Sequence, residues 1–286
     1  MTAPAFCRTS VGDFTVTALH DGTVSRDRGD GFICNADGAD VEAVFSQAGF
    51  GPGRLVITFT GFMIVTPQHL ALIDPGFGEN GPPTAGRIAA NFKAAGHAPG
   101  DVDRILISHF HGDHISGLLT SDGAPSWPNA RVLVPVAEWD FWMSDEEMGK
   151  APEALRGNFA NVRRIFGTLG ERVERFVWGD EVLPGITAIP GAGHTPGMTA
   201  FDIVSGTDRL RFMADVCNNP TVFARQPDWH AAFDMNGDQA TDTRRRQFSE
   251  VADANIRLAF FHAPFPAIGH IARDGNAFCW LPDVWM

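Results

Sequence analysis

The chain reads as an α/β protein forming one large domain, residues 1–286, whose strands make more than one sheet. Three observations carry that reading. Short β-rich apolar runs come in groups with helical stretches between them. No charge run or Ser/Pro-rich linker divides the chain. Several of the apolar runs end directly in a histidine or aspartate, so loops at a sheet edge carry the polar chemistry.

The elements follow in order. Residues 14–19 alternate apolar side chains with threonine, and residues 55–65 form a long β-rich run that Gly61 is expected to break. Leu70-Ala71-Leu72-Ile73-Asp74 then meets Pro75-Gly76-Phe77-Gly78, a buried strand closed by a tight turn. Residues 84–95 have helical spacing, with Thr84 placed to cap, Ile88 and Phe92 on one face, and Gly96 as the left-handed stop. A strand over 104–108 follows. Further strands are expected at 131–134, 186–189, 199–204, 209–214, 257–261 and 277–281, and helices over 136–143, within 152–169 and over 239–255.

Composition bounds the function. Forty-four per cent hydrophobic and 20% charged residues suit a globular domain, and a net charge of −12 excludes nucleic acid, which needs a basic footprint. Arg244-Arg245-Arg246 is the one basic triplet, and a solvated helix face is its expected place. Cys7, Cys34, Cys217 and Cys279 are scattered, which fits free thiols in a reducing compartment. Residues 1–8 lack the apolar centre of a signal peptide, and no run approaches the roughly eighteen apolar residues of a membrane span. A cytoplasmic protein with no membrane partner is therefore expected, and its aromatic residues are compatible with a homodimer. There are 23 phenylalanines, seven tryptophans and no tyrosine, so no phenol can donate a proton.

The strand over 104–108 delivers His109-Phe110-His111-Gly112-Asp113-His114. Imidazole and carboxylate are the side chains that hold first-row metals, and such density has few other uses. Three later strands repeat the layout and end at His194, Asp215 and His262. One such residue alone is more often a satisfied polar group than a ligand. Together the segments supply seven ligands, enough for two ions. In extended backbone, residues i and i+2 point the same way, so His109 and His111 can share one ion. A sharp turn at Gly112 then aims Asp113 and His114 at a second.

His109-x-His111-x-Asp113-His114, followed by His194, Asp215 and His262, resembles the five-motif signature of the metallo-β-lactamase superfamily over about residues 55–270, with Asp74 similar to its early structural aspartate. That resemblance implies a four-layer αββα sandwich, two mixed β-sheets flanked by helices. It implies two Zn²⁺, with Mn, Co or Fe acceptable to the same donors: His109, His111 and His194 on one ion, Asp113, His114 and His262 on the other, and Asp215 between them. It also implies a hydrolase in which a metal-bridging hydroxide attacks an ester-type bond of a small, largely apolar molecule, with Asp113 and Asp215 as catalytic carboxylates. A lactone such as an acyl-homoserine lactone, an aryl ester and an organophosphate triester all fit.

Residues 223–233, Phe233-Asp234-Met235, Thr243-Arg244-Arg245-Arg246 and residues 262–270 are similar to the branch holding methyl parathion hydrolase and relatives of the acyl-homoserine lactonases. Many of those lactonases place a tyrosine beside the metals, a route closed to this chain. β-Lactamase activity and an iron-dependent persulfide dioxygenase are the alternatives on the same fold. Ser116 and Thr195 are candidates to hydrogen-bond the ligands. Phe110, Trp139, Trp142 and His270 are the candidate substrate-pocket residues.

Overall fold

A computed structural model describes residues 5–283, and the remaining residues of the expected 1–286 domain lie outside it. The first sheet runs in chain order: β1 (Phe6–Val11), β2 (Phe14–Asp27), β3 (Arg54–Val65), β4 (Leu70–Ile73), β5 (Arg104–Leu106), β6 (Arg131–Pro135) and β7 (Val173–Phe176). The second runs in reverse: β14 (Ala277–Pro282), β13 (Ile268–Asp274), β12 (Arg257–Ala259), β11 (Asp208–Phe212), β10 (Thr199–Ser205), β9 (Ile186–Pro190) and β8 (Glu181–Leu183). Both sheets are mixed, with β4 to β7 parallel in the first and β11 and β12 parallel in the second.

Strand alternation builds the layers. In β4 and β5, Ala71, Ile73 and Leu106 face the second sheet, in one core with Phe201, Leu210 and Phe212. Leu72 and Ile105 face the other way, toward Ile88 and Phe92 of α2 (Ile88–Ala94) and Phe159, Val162 and Phe166 of α6 (Glu153–Leu169). Phe62 of β3 meets Phe212 across the sheets at 5.4 Å. On the far side, Phe248 of α8 (Gly237–Asp253) packs on Phe260 and Phe278. The order helix, sheet, sheet, helix follows, as the sequence implied. The shorter helices are α1 (Gly38–Gln47), α3 (Gly112–Ile115), α4 (Val136–Trp142), α5 (Asp145–Lys150) and α7 (Pro220–Phe223). No helix among the described residues is long and apolar enough to cross a membrane.

Three local expectations change. Gly61 does not break β3, which runs through it; a Cβ there would lie 2.6 Å from the Asp74 carbonyl oxygen, so the glycine permits close approach rather than a break. Thr84 does not cap α2. Its carbonyl accepts from the Thr23 amide, and the Ile88 amide that opens the helix donates to buried Asp21 at 2.9 Å. Arg244 is not on a solvated face: it is 1% exposed, donates to the Val216, Pro227 and Trp229 carbonyls, and stacks over Phe223.

Candidate metal centre

All seven motif residues converge where the two sheets meet. β5 runs past Ile107 and Ser108 into His109 and His111, and α3 starts there, with Asp113 and His114 in its single turn. The reversal after His111 is thus a helix start, and Gly112 has no left-handed backbone. The loop after β9 brings His194, the turn after β11 brings Asp215, and the segment after β12 brings His262. Ala214, just before Asp215, sits at φ 44°, a strained value held by the packing around it.

The donor atoms face one another. His109 Nε2 lies 3.1 Å from His111 Nδ1, which lies 2.9 Å from His194 Nε2. Asp215 Oδ2 is 3.4 Å from His194 Nε2 and 3.0 Å from His262 Nε2, and Asp113 Oδ2 is 3.3 Å from His262 Nε2. Three triples each place one ligand atom per residue within 4.8 Å: His109, His111 and His194; His109, His114 and Asp215; Asp113, His114 and His262.

Hydrogen bonds on the outer side fix which imidazole nitrogen points inward. His114 Nδ1 donates to Asp74 Oδ2 at 2.8 Å, His194 Nδ1 to Asp234 Oδ1 at 2.9 Å, and His262 Nδ1 to the Thr58 carbonyl at 2.9 Å. Ser108 donates its own proton to Asp74, so its oxygen is left to accept from His109 Nδ1 at 3.0 Å. In each neutral ring Nε2 then carries a lone pair toward the centre, the arrangement a metal ligand requires. His114 Nε2 and Asp215 Oδ1 are buried and without a hydrogen-bond partner, a deficit that a cation would satisfy. The residues therefore fit a metal site.

Electrostatics point the same way. Burial and the neighbouring His194 push His111 down to about 3, so it is neutral and ready to coordinate. Burial acts against charge on His262, yet Asp215 and Asp113 outweigh it and draw the imidazole up to about 9. Burial likewise opposes ionisation of Asp113, but His114 and His262 pull that carboxyl down to about 2. The paired carboxylates demand positive charge, and bound cations would supply it in place of protons.

The outer partners are Asp74, Ser108, Asp234 and the Thr58 carbonyl; neither Ser116 nor Thr195 hydrogen-bonds a ligand imidazole. Asp234 belongs to the segment Phe233-Asp234-Met235, whose spacing alone does not mark it as a partner of His194. Its carboxylate is 5% exposed and also faces Arg244 at 3.7 Å.

A cavity of about 730 Å³ opens over the cluster, with His111, Asp113, His194, Asp215 and His262 in its lining. Its walls are largely apolar: Val24 and Ile57 from β2 and β3, Phe59, Phe77, Pro82, Leu155 of α6, Phe233 and Met235. None of the four expected pocket residues is in this lining. Phe110 is 1% exposed and packs on Phe166 at 4.3 Å, because strand alternation turns it away from His109 and His111. Trp142 is fully buried against Phe159, and Trp139 packs on Phe166 beneath Arg175, both on the core side of α4. His270 lies on β13, 3.9 Å from Asp283. The aromatic surface over the cluster comes instead from Phe59, Phe77 and Phe233, which strand, turn and loop segments supply.

Comparisons with known proteins agree with this architecture. The profile of the Metallo-beta-lactamase superfamily matches residues 60–245. A solved structure described as AidC, a dizinc quorum-quenching lactonase in complex with the product N-hexanoyl-L-homoserine, superposes with a TM-score of 0.93 at 23% identity, covering 98% of each chain. The hydrolase AbOPH superposes with a TM-score of 0.93 at 26% identity over 100% of both chains. The uncharacterized protein YobT of Bacillus subtilis (strain 168) is 28% identical over 107 residues, which is 37% of this chain and 43% of that relative's own length. With the matched region spanning well over half of its residues, the chain belongs to the metallo-beta-lactamase superfamily.

Proposed function

We propose that this protein is a two-metal hydrolase that opens the ring ester of N-acylated lactones. The observation that carries this is one juxtaposition: a carboxylate–imidazole cluster forms the floor of a cavity of about 730 Å³ whose walls are largely apolar. We assign His109, His111 and His194 to one ion and Asp113, His114 and His262 to the other, with Asp215 between them. Zinc suits this borderline set of imidazoles and carboxylates. Two such ions would lower the pKa of a water toward ~7 and polarise an acceptor oxygen.

The chain's own groups do the rest. The apolar wall receives an acyl chain, and apart from Asp113, Asp215 and Asp234 the lining holds no carboxylate to repel the product acid. Asp113 is the general acid/base: both carboxylates line the cavity, but its side chain is 21% exposed against 4% for Asp215, so it is the more open of the two. When the water oxygen joins the carbonyl carbon and the ring C–O bond breaks, Asp113 passes the water's proton to the departing alcohol oxygen. The ring becomes a hydroxy acid. The relative AidC, described with a hexanoyl-homoserine product, supports this substrate class.

Metal analysis and a substrate panel test the reading. We expect two equivalents of zinc, and kcat/KM for an N-acyl homoserine lactone above that for an aryl ester, a phosphotriester and nitrocefin. One iron per chain with oxygen uptake on a persulfide would replace it with a dioxygenase, and preference for nitrocefin with a β-lactamase.

A further inference from the structure

Glu138 is a charge in an unexpected place. It lies in α4, is wholly buried, and has no cationic partner among the described residues. Trp142 and Phe110, both members of the apolar core, stand beside it, surroundings in which an aliphatic side chain would pack without electrostatic cost. Its two oxygens nonetheless both accept from backbone amides. Oε1 accepts from the Phe110 amide at 3.0 Å and from Trp142 Nε1 at 3.2 Å, while Oε2 accepts from the Gly197 amide at 2.9 Å.

Those two amides belong to different ligand loops. Phe110 stands between His109 and His111, and Gly197 stands three residues after His194. The loop after β9 also lies flat on α4, since a Cβ at Gly197 would come within 2.1 Å of the Glu138 amide nitrogen. Asp234 holds the His194 ring by Nδ1, which sets its rotation but not where its backbone stands. We propose that Glu138 is the positioning residue for the three-imidazole site: one carboxylate clamps both loops and so sets the spacing of His109, His111 and His194. The clamp acts beside one direct backbone bond, from the Thr199 amide to the Ser108 carbonyl at 2.9 Å, where His111 Nδ1 and His194 Nε2 approach to 2.9 Å from loops 83 residues apart. Charge-assisted bonds to two amides are stronger and more directional than neutral ones, which is what a spacing device needs. In the other trio the His114 ring is held by Asp74 and the His262 ring by the Thr58 carbonyl, neither of which Glu138 touches, so the effect of Glu138 falls chiefly on the three-imidazole site.

The proposal rests on the two-ion assignment, and the test separates them. Zinc affinity is read by competition with a chromogenic chelator, in two backgrounds. With His262→Ala the stronger remaining site is the three-imidazole one, and adding Glu138→Gln there weakens zinc at least tenfold. With His194→Ala the stronger remaining site is the other, and adding Glu138→Gln changes affinity less than twofold. Equal losses in both backgrounds, or none in either, overturn the clamp. Cooperative melting of the metal-free variants establishes that they fold. Where the glutamine variant does not, Glu138→Asp, which keeps the charge but withdraws the acceptor, must give the same selective loss. Failure of the parent protein to take two zinc ions would instead overturn the two-ion reading, and the clamp with it.

Discussion

His194 Nδ1 donates to Asp234 Oδ1 at 2.9 Å, and both side chains are at least 95% buried. The carboxylate accepts as well from the Ala231 amide at 3.1 Å and faces the buried Arg244 guanidinium. Burial alone would raise the Asp234 carboxyl, but His194 and Arg244 outweigh it and hold it low. An ionised partner behind Nδ1 fixes the ring and makes Nε2 a better donor to metal. Asp234→Ala should therefore lower metal affinity or kcat/KM by about 10- to 100-fold. Metal content after dialysis against a weak chelator, with kcat/KM at saturating zinc, checks this; a variant that matches the parent in both would remove Asp234 from the centre.

Asp74 is the corresponding anchor on the other side, and it is structural as well. It sits at φ 52° and accepts from the Ser108 amide at 2.9 Å, Ser108 Oγ at 2.6 Å and His114 Nδ1 at 2.8 Å, all fully buried. Asp74→Ala strands three donors, at about 1–3 kcal/mol for each. The substituted alanine must also hold a left-handed backbone that aspartate tolerates better. Urea unfolding of the metal-free protein should show a loss of at least about 3 kcal/mol.

The contrast between these anchors and the cluster explains what the sequence makes legible. His109 to His114 is conspicuous because the ligands crowd one loop, and His194, Asp215 and His262 because each ends an apolar strand. Strand periodicity also delivers the two-sheet core. Asp21 and Glu138 are invisible to the same reasoning, and Asp234 and Arg244 show only as members of a motif and a triplet with no role: a single charge in a strand, helix or loop looks like a surface charge, and only the fold buries it. The pocket misleads for the opposite reason. Trp139, Phe141 and Trp142 stand out by their density, yet that density belongs to a helix facing the core, where Phe141 and Trp142 pack on Phe159. Phe6–Val11 escapes notice as a strand because it alternates weakly and is half exposed along the sheet edge.

Phe233 makes the cavity testable. It is half-buried, meets Phe32 edge-on at 5.3 Å and carries the Arg26 guanidinium over its ring at 5.6 Å. It lines the cavity without hydrogen-bonding any ligand residue through its side chain. Phe233→Ala should raise KM for a long-chain lactone about fivefold to thirtyfold, equivalent to roughly 1–2 kcal/mol of lost apolar contact, and leave kcat within about threefold. A short-chain lactone, which reaches less of the wall, should show the smaller change. A fall in kcat at constant KM for both lactones would mean that the wall serves the chemistry and not the acyl chain.

His20 gives a pH dependence outside the centre. It sits at the bulge in β2, with Nε2 3.2 Å from Thr23 Oγ1 and its ring 5.2 Å from that of Phe265. Burial, then the charge of Arg87, lowers its pKa below the usual imidazole value of 6.5. The unfolded chain thus binds a proton at this position that the folded chain resists. Stability from His20 is complete above about pH 6.5 and is lost as pH falls through and below that value, until the folded ring also protonates. His20→Gln removes the titration, so the difference in unfolding free energy between parent and variant should shift in favour of the variant as pH drops from 7.5 to 5.5. Urea melts at several pH values in that window measure it directly. A difference that stays flat would show that His20 titrates alike in the folded and unfolded chain.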